Sequence, residues 1–277
     1  MRTVELPDGR TLATEEWGVP DGTPVLYAHG TPMSRLARYP DEGLFTELGI
    51  RLITYDRPGF GASTPNPDRR VVDAAADIAA IADAFGLSRF PVFGVSGGGP
   101  HALAFAALHP DRVSRVATLA SPAPCDASGL DWGGGMMEDN RRSAAAARQG
   151  RAELAEFLVS VEHKDLTSLL PAAELEVLSR PEVGGMLSAA YAEAIRPGYD
   201  GWIDDERALF GLPWGFDPAV IGTPTRLWHG DLDTVVPVTH AVWLDSRLPA
   251  STLVRGASSG HAGHFDATPD VLRWLLS

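Results

Sequence analysis

The chain has 277 residues, of which 44% are hydrophobic and 21% are charged, as in a globular protein with a large buried core. Its formal net charge of −13 argues against nucleic-acid binding, which needs a basic face. One cysteine, Cys125, excludes an internal disulfide and a multi-cysteine zinc site, and no signal peptide or membrane span is predicted. We therefore expect a cytoplasmic protein with a small-molecule substrate, as a monomer or homodimer.

The first part of the chain alternates predicted strands with predicted helices. Residues 3–6 and 12–17 flank Asp8-Gly9, a turn pair typical of a β-hairpin. The predicted elements that follow are strands 25–28 and 52–55, helix 71–86, strand 91–95, helix 98–108 and strand 113–120. Continuous apolar strands separated by helices predict an α/β protein with a mostly parallel sheet covered on both faces.

This alternation stops after Ser121 and resumes about a hundred residues later. Residues 122–218 contain no predicted strand but include helical segments at 151–161 and 185–195. The last predicted elements are strand 224–228, helix 238–247, strand 251–255 and helix 269–276. We therefore predict a core formed by residues 1–121 and 219–277, interrupted by a helical insertion at 122–218.

The clearest chemical motif is Gly-Val-Ser-Gly-Gly at residues 94–98, between a predicted strand and a predicted helix. A serine in such a turn is raised above the sheet edge, and the flanking glycines let the backbone pass without a Cβ clash. The helix N-terminus that follows directs backbone N–H groups toward the reacting oxygen. We therefore predict that Ser96 is a nucleophile.

The same glycine pattern occurs a second time around Ser258, at residues 256–260. Ser258 also follows a predicted strand, but the chain continues into His-Ala-Gly-His-Phe and no helix comes directly after it. The structural context, and not the glycine pattern itself, therefore favours Ser96.

A nucleophilic serine needs a histidine to take its proton and a carboxylate to hold that histidine. Gly-Asp-Leu-Asp at residues 230–233 follows a predicted strand directly and therefore lies at the same sheet edge as Ser96. We favour Asp233 as the acid because it begins Asp-Thr-Val-Val-Pro before the next helix. Asp231 is the alternative and is otherwise expected to be a turn or capping residue.

Two histidines, His261 and His264, lie between the last predicted strand and the last predicted helix. We favour His264 as the base, because Phe265 follows it and the helix is expected to begin near Thr268-Pro269; His261 is the alternative. Helix-surface or helix-end positions are predicted for the other candidates His101, His109, His163 and His240.

The segment His29-Gly30-Thr31-Pro32 follows strand 25–28 at the same edge of the sheet. The backbone N–H of Thr31 can join that of Gly97 in an oxyanion hole. His29 is expected to brace this loop by hydrogen bonds and not to act as the base. No pair of histidines has the i, i+4 spacing around an acid that a helical metal site requires, so we expect neither a metal nor a cofactor.

Together these motifs resemble the α/β-hydrolase superfamily over almost the whole chain. The matching segments are HGTP (29–32), YDRPGFGAST (55–64), GVSGGGPHALAFAALHPDRV (94–113), HGDLDTVVP (229–237) and GHF (263–265). The resemblance implies an eight-stranded core with a helical cap over the site. It also implies a triad of Ser96, Asp233 and His264, with Thr31 and Gly97 as oxyanion donors.

Three comparisons with members of this superfamily bear on the expected pocket, substrate and nucleophile. Many relatives carry a bulky residue directly after the serine, so Gly97 is expected to leave the bottom of the pocket more open. HGTP is similar to the HGGP of proline iminopeptidases without matching it, and GVSGGG lacks their tryptophan. Haloalkane dehalogenases and epoxide hydrolases use an aspartate nucleophile, which Ser96 argues against.

We therefore predict a carboxylesterase or lactonase that works through an acyl-enzyme. The expected pocket-lining residues, all in the insertion, are Trp132, Met136, Met137, Trp202, Phe210 and Trp214. The first rival is an aminopeptidase whose acidic insertion residues bind an ammonium group, although a solvated face is the simpler reading of Glu138, Asp139, Asp204, Asp205 and Glu206. The second rival is a ligand-binding protein with negligible turnover.

Overall fold

A computed structural model describes residues 1–161 and 171–277 of the chain. Within these ranges, eight strands form one sheet: β1 (Arg2–Glu5), β2 (Thr11–Gly18), β3 (Thr23–Ala28), β4 (Ile50–Tyr55), β5 (Phe90–Val95), β6 (Val113–Leu119), β7 (Thr225–Gly230) and β8 (Ser251–Gly256). Their spatial order is β1-β2-β4-β3-β5-β6-β7-β8. The β1–β2 and β2–β4 pairs are antiparallel and all later pairs are parallel, which confirms the predicted fold class.

Helices lie between the strands and on both faces of the sheet. Those of the core are α1 (Gly43–Glu47), α2 (Ala74–Ala84), α3 (Gly98–Leu108), α9 (Thr239–Arg247) and α10 (His264–Leu275). Alternate residues of β3 pack into two separate hydrophobic clusters, with Leu26 in one and Val25 in the other. Both faces of the strand are therefore buried, which explains its continuous apolar sequence.

Between β6 and β7 the described residues form helices and turns without a strand. The helices are α4 (Glu138–Gln149), α5 (Arg151–Val161), α6 (Ala172–Leu178), α7 (Pro181–Ala194) and α8 (Asp200–Glu206), followed by a π-helical turn at Arg207–Gly211. Predicted helix 185–195 begins four residues earlier than expected, because Pro181 occupies the first turn of α7, where its missing N–H costs nothing. We call these elements the helical insertion.

The start of the last helix was predicted wrongly. α10 begins at His264, directly after a single 3-10 turn at His261–Gly263, and Pro269 lies inside it. Proline inside a helix loses its own N–H and crowds the carbonyl group four residues earlier, but α10 continues through Pro269, so this proline does not mark the beginning of the helix. His264 is therefore a helical residue and not a loop residue.

Within the described ranges, we find no helix with the length and apolar character needed to cross a membrane. The cytoplasmic location stays a prediction.

Candidate active site

Ser96 occupies the turn between β5 and α3 with a backbone φ of 51°, a left-handed conformation that is uncommon for a residue with a side chain. A Cβ on Gly94 would lie 2.2 Å from the Gly98 carbonyl oxygen, and a Cβ on Gly98 would lie 2.0 Å from that of Ala28. Both glycines are therefore required by the close approach of backbones in this turn. The turn places Ser96 at the carboxyl edge of the parallel strands. The other Gly-x-Ser-x-Gly serine, Ser258, is exposed in a turn after β8.

Asp233 is buried just beyond the end of β7, and both of its carboxylate oxygens accept hydrogen bonds. Oδ1 accepts from the backbone N–H groups of Val235 (2.9 Å) and Val236 (2.8 Å). Oδ2 lies 2.8 Å from Nδ1 of His261 and 3.2 Å from Nε2 of His229. Burial alone would raise the pKa of Asp233, but the charge of His261 and the hydrogen bonds from both histidines outweigh it and lower the pKa. Asp233 is therefore a carboxylate at neutral pH.

The residue that Asp233 holds is His261. Its Nδ1 donates to Asp233, which leaves Nε2 for a reacting group. Burial opposes protonation, but the charge of Asp233 and its hydrogen bond raise the pKa of His261 above the ordinary value of 6.5. The alternative acid, Asp231, instead forms an ion pair with Arg255 at 2.7 Å near the surface.

The predicted pairing of Asp233 with His264 is wrong. The His264 ring packs on Phe265, with centroids 4.1 Å apart, and its Nδ1 is buried with no hydrogen-bond partner in the described part of the chain. Burial, together with the nearby charge of His261, lowers the pKa of His264 to about 3. The ring is therefore neutral, and no carboxylate of residues 1–161 and 171–277 is hydrogen-bonded to it.

The loop that carries Thr31 is held by a buried ionic cluster. Thr31 Oγ1 donates to Asp205 of α8 and accepts from Arg57 at 2.9 Å. Arg57 and Arg69 lie 2.6 Å and 2.8 Å from the two carboxylate oxygens of Asp205. Burial would raise the pKa of Asp205, but the two guanidinium groups outweigh it and lower the pKa. The insertion is thus tied to the predicted oxyanion loop by a charged contact.

His29 braces this loop, as predicted. Its Nδ1 lies 2.7 Å from the Gly30 carbonyl oxygen, so Nδ1 carries the proton and Nε2 accepts from the Arg57 N–H at 3.4 Å. The ring is buried, and burial with the charge of Arg57 places its pKa well below 6.5. His29 is therefore a neutral structural residue.

Gly97 does not leave the pocket floor open, contrary to the prediction. A Cβ at this position would lie 2.3 Å from Thr31 Oγ1 and 2.9 Å from Leu209 Cδ1. Leu209, from the π-helical turn of the insertion, occupies the space that a side chain after the serine would fill. The absence of a side chain at Gly97 is therefore what lets the insertion pack against the turn that carries Ser96.

Two cavities meet at Ser96, and Thr31, Ser96 and Val235 border both. The larger cavity, about 520 Å³, lies under the helical insertion. Its walls are Pro32, Gly97, Pro122, Trp132, Met136, Asp139, Asn140, Ser143, Phe157, Leu158, Val161, Tyr191, Trp202, Glu206, Phe210 and Val236. The smaller cavity, about 280 Å³, has mostly apolar walls, and both His261 and His264 border it.

The predicted lining residues divide into two groups. Trp132, Met136, Trp202 and Phe210 border the larger cavity, whereas Met137 and Trp214 border neither cavity. Trp214 is buried in the main hydrophobic cluster, where its Nε1 donates to the Leu209 carbonyl oxygen.

The acidic insertion residues are not a solvated face, because three of them are buried. Asp204, Asp205 and Glu206 are 1%, 0% and 8% exposed. Glu206 borders the larger cavity and accepts hydrogen bonds from Ser143 Oγ and from Trp202 Nε1. Burial raises the pKa of Glu206, and the charge of Asp205 adds to this effect.

Two histidines predicted on helix surfaces or ends, His101 and His240, are buried instead. His101 Nδ1 lies 2.7 Å from the Gly97 carbonyl oxygen, and His240 Nδ1 accepts from the Ala123 N–H at 3.1 Å. His109 caps the C-terminus of α3, as predicted, and His163 lies outside the described residues. A helical period alone does not distinguish a solvent-facing histidine from one that contacts a loop.

Residues 23–268 match the family model described as the alpha/beta hydrolase fold. The chain belongs to the α/β-hydrolase family. This membership supports hydrolase activity, and it agrees with the serine turn, the buried acid–histidine pair and the sheet described above.

Two curated relatives of this α/β hydrolase align over nearly its full length. It is 26% identical to a non-heme chloroperoxidase from Streptomyces lividans, over 98% of this chain and 96% of the relative. It is 27% identical to a proline iminopeptidase from Neisseria gonorrhoeae, over 93% of this chain and 89% of the relative. In fold it is similar to an esterase from Exiguobacterium antarcticum, with a TM-score of 0.71, 20% identity, and coverage of 99% and 97% of the two chains.

Proposed function

We propose that the protein is a serine hydrolase that cleaves carboxylic esters or lactones through an acyl-enzyme on Ser96. The observation that carries this proposal is the 2.8 Å hydrogen bond between Asp233 and His261, a histidine that borders the same cavity as a serine held at positive φ. A buried acid, an oriented histidine and a strained serine turn are the parts that nucleophilic acyl transfer requires.

In the proposed first step, His261 Nε2 takes the hydroxyl proton of Ser96 while Ser96 Oγ bonds to the carbonyl carbon. The backbone N–H groups of Thr31 and Gly97 hold the resulting oxyanion. The tetrahedral intermediate collapses, the bond to the leaving oxygen breaks, and His261 gives its proton to that oxygen. Water then attacks the acyl-enzyme with His261 as base, which releases the acid and restores Ser96.

The two cavities fit the two halves of such an ester. His261 borders only the smaller cavity, and Gly97 borders only the larger one. Because the histidine must reach the leaving oxygen, we assign the alcohol to the smaller cavity and the acyl group to the larger one. We propose that residues 122–218 act as a cap, since this insertion supplies most walls of the acyl cavity.

The proposal is tested with p-nitrophenyl esters and aliphatic esters of graded size. We expect turnover of esters with aromatic acyl groups, because Trp132, Trp202 and Phe210 border the acyl cavity. Ser96→Ala and His261→Ala should each lose about 10⁴-fold or more in kcat. Ser258→Ala is the matched control and should retain full activity, because Ser258 is exposed and borders neither cavity. Full activity of Ser96→Ala would contradict the proposal, and stoichiometric binding of esters without turnover would favour the ligand-binding protein instead.

A second candidate, an aminopeptidase acting on amino-terminal residues, is favoured by Glu206. This carboxyl group is buried in the acyl cavity, and no cationic side chain of the described ranges contributes to its pKa. Trp132, Trp202 and Phe210 border the same cavity, and aromatic faces together with a carboxylate suit an ammonium group. The proline iminopeptidase relative is consistent with this candidate.

The two candidates are separated by comparing aminoacyl-naphthylamides with p-nitrophenyl esters on the wild type and on Glu206→Gln. An aminopeptidase should prefer the naphthylamides and lose about 100-fold in kcat/KM for them in Glu206→Gln, because the ammonium group loses its counter-charge. An esterase should hydrolyse the esters faster, with a change of less than about threefold in the same variant.

A further inference from the structure

The catalytic histidine turn carries a hydrogen-bonded contact that lies outside every sequence motif. Glu174 of α6 is 2% exposed, and its carboxylate faces the 3-10 turn at His261–Gly263. Oε1 accepts from the backbone N–H of His261, and Oε2 accepts from that of Ala262 at 2.6 Å. A single carboxylate of the insertion thus binds two successive N–H groups at the start of the segment that leads into α10.

The backbone of the turn is shaped around this carboxylate. A Cβ on Gly260 would lie 2.1 Å from Glu174 Oε1, so a larger residue before His261 would push the carboxylate out of its present position. Ala262 and Phe265 pack with Val177 and Val183 in a small hydrophobic cluster beside it. The contact therefore consists of the hydrogen bonds from Glu174 and of apolar packing between α6, α7 and the turn beside them.

Resting on the proposed function, we propose that Glu174 is a positioning residue for the general base. By binding the N–H groups of His261 and Ala262, it holds the turn in the orientation that puts His261 Nδ1 on Asp233. The insertion then contributes to the catalytic machinery as well as to the pocket walls. Without Glu174, two buried donors lose their acceptor and the turn is free to shift.

The same carboxylate acts on His261 electrostatically. The groups that face His261 are Asp233 from the loop after β7, Glu174 from α6 and His264 from α10, and Arg38 borders the same cavity. The charge of Asp233 raises the pKa of His261 most, and the charge of Glu174 adds to it. Since the neutral histidine is the active base, removing the charge of Glu174 should move the acid limb of kcat/KM to lower pH.

The test compares Glu174→Gln with Glu176→Gln in the intact chain, using a p-nitrophenyl ester. Glu176 lies on the same helix and is exposed, so the second variant makes the same change of charge without the contact. For Glu174→Gln we expect kcat to fall about 10- to 100-fold with KM changed less than about threefold, and the acid limb to move down by about 0.3 pH or more. Glu176→Gln should match the wild type in all three.

An acid limb that stays in place in Glu174→Gln, whatever happens to kcat, would overturn the inference, because a purely structural contact would change stability but not the titration of His261. Gly260→Ala, which puts a methyl group where Glu174 Oε1 lies, should reproduce the loss of kcat, and an unchanged kcat would also overturn it. Failure of the proposed function gives a different result. If the proposed function is wrong, Ser96→Ala keeps wild-type turnover. If only the inference about Glu174 is wrong, Ser96→Ala is inactive and Glu174→Gln keeps the acid limb of the wild type.

Discussion

The ion pair that joins the helical insertion to the core makes a quantitative prediction for Asp205→Asn. Asp205 is 0% exposed and lies between Arg57 and Arg69, which are themselves buried. Asparagine keeps the shape of the side chain but leaves two guanidinium groups without a counter-charge. Removing one partner of a buried ion pair costs about 3–5 kcal/mol, because the remaining charge stays desolvated.

Taking the lower end of that range, since asparagine can still accept a hydrogen bond, the melting temperature should fall by about 6–12 °C. The control is Asp200→Asn on the same helix. The Asp200 side chain is 77% exposed and pairs with Arg151, which is 38% exposed. Exposed pairs contribute about 1 kcal/mol at most, so this variant should melt within about 3 °C of the wild type.

Thermal unfolding is monitored by far-ultraviolet circular dichroism, and ester turnover is measured at temperatures below the unfolding transitions of both variants. Asp205→Asn should also lower kcat at temperatures where it is folded, because the uncompensated charges of Arg57 and Arg69 weaken the cluster that holds the predicted oxyanion loop. Equal melting temperatures for the two variants would refute the reasoning that this cluster couples insertion and core.

Three further predictions follow from charges and contacts at the site. The pKa of Asp205 is lowered on folding, so its stabilisation of the folded state is present above the pKa of an unfolded aspartate, about 4, and is lost as the pH falls further. The melting temperature of the wild type should therefore exceed that of Asp205→Asn by a constant amount from about pH 5 to 8, and the difference should narrow below about pH 4. The raised pKa of His261 means that kcat/KM should decline on the acid side with a midpoint above 6.5, and a midpoint near 5 would contradict the assignment of the base. Gly97→Ala should lower kcat at least about tenfold by pressing on Thr31 and Leu209, whereas Gly222→Ala, with no atom within 4 Å of its Cβ, should leave kcat unchanged.

Much of the fold follows from local sequence pattern. The predicted helix 98–108 coincides with α3, and the predicted hairpin around Asp8-Gly9 forms the antiparallel pair β1–β2. The predicted helix 71–86 ends at Gly86, and in the structure Gly86 has a positive φ of 67° directly after α2 and its cap. These features depend on side chains a few residues apart, which is the range over which a sequence pattern is informative.

Local sequence pattern could not decide which histidine pairs with Asp233. His261 and His264 are three residues apart in the same segment, and either one follows a strand at the correct edge. The choice depends on where α10 begins and on which ring reaches Asp233, which is 28 residues away in the chain. The sequence pattern predicts that the last helix begins at Pro269, but this proline lies inside α10.

The contacts of the helical insertion could not be predicted from the sequence either. From the sequence, Asp205, Glu206 and Glu174 are expected on the surface of polar helices. A carboxylate is rarely buried unless it has a partner, and the sequence does not show these partners. Their partners Arg57, Ser143 and His261 lie 148, 63 and 87 residues away along the chain, so no local sequence period reveals these contacts. The effect of Gly97 was misjudged for the same reason, because the space it leaves is filled by Leu209 from the insertion.

The central claim is that Ser96 is the nucleophile and His261, held by Asp233, is its base. The most direct measurement is labelling of the folded protein with a fluorophosphonate, with the modified residue mapped by mass spectrometry in the wild type, His261→Ala and His264→Ala. We predict an adduct on Ser96 in the wild type and in His264→Ala, and a loss of labelling in His261→Ala. An adduct on Ser258, or labelling that survives in His261→Ala but not in His264→Ala, would contradict it.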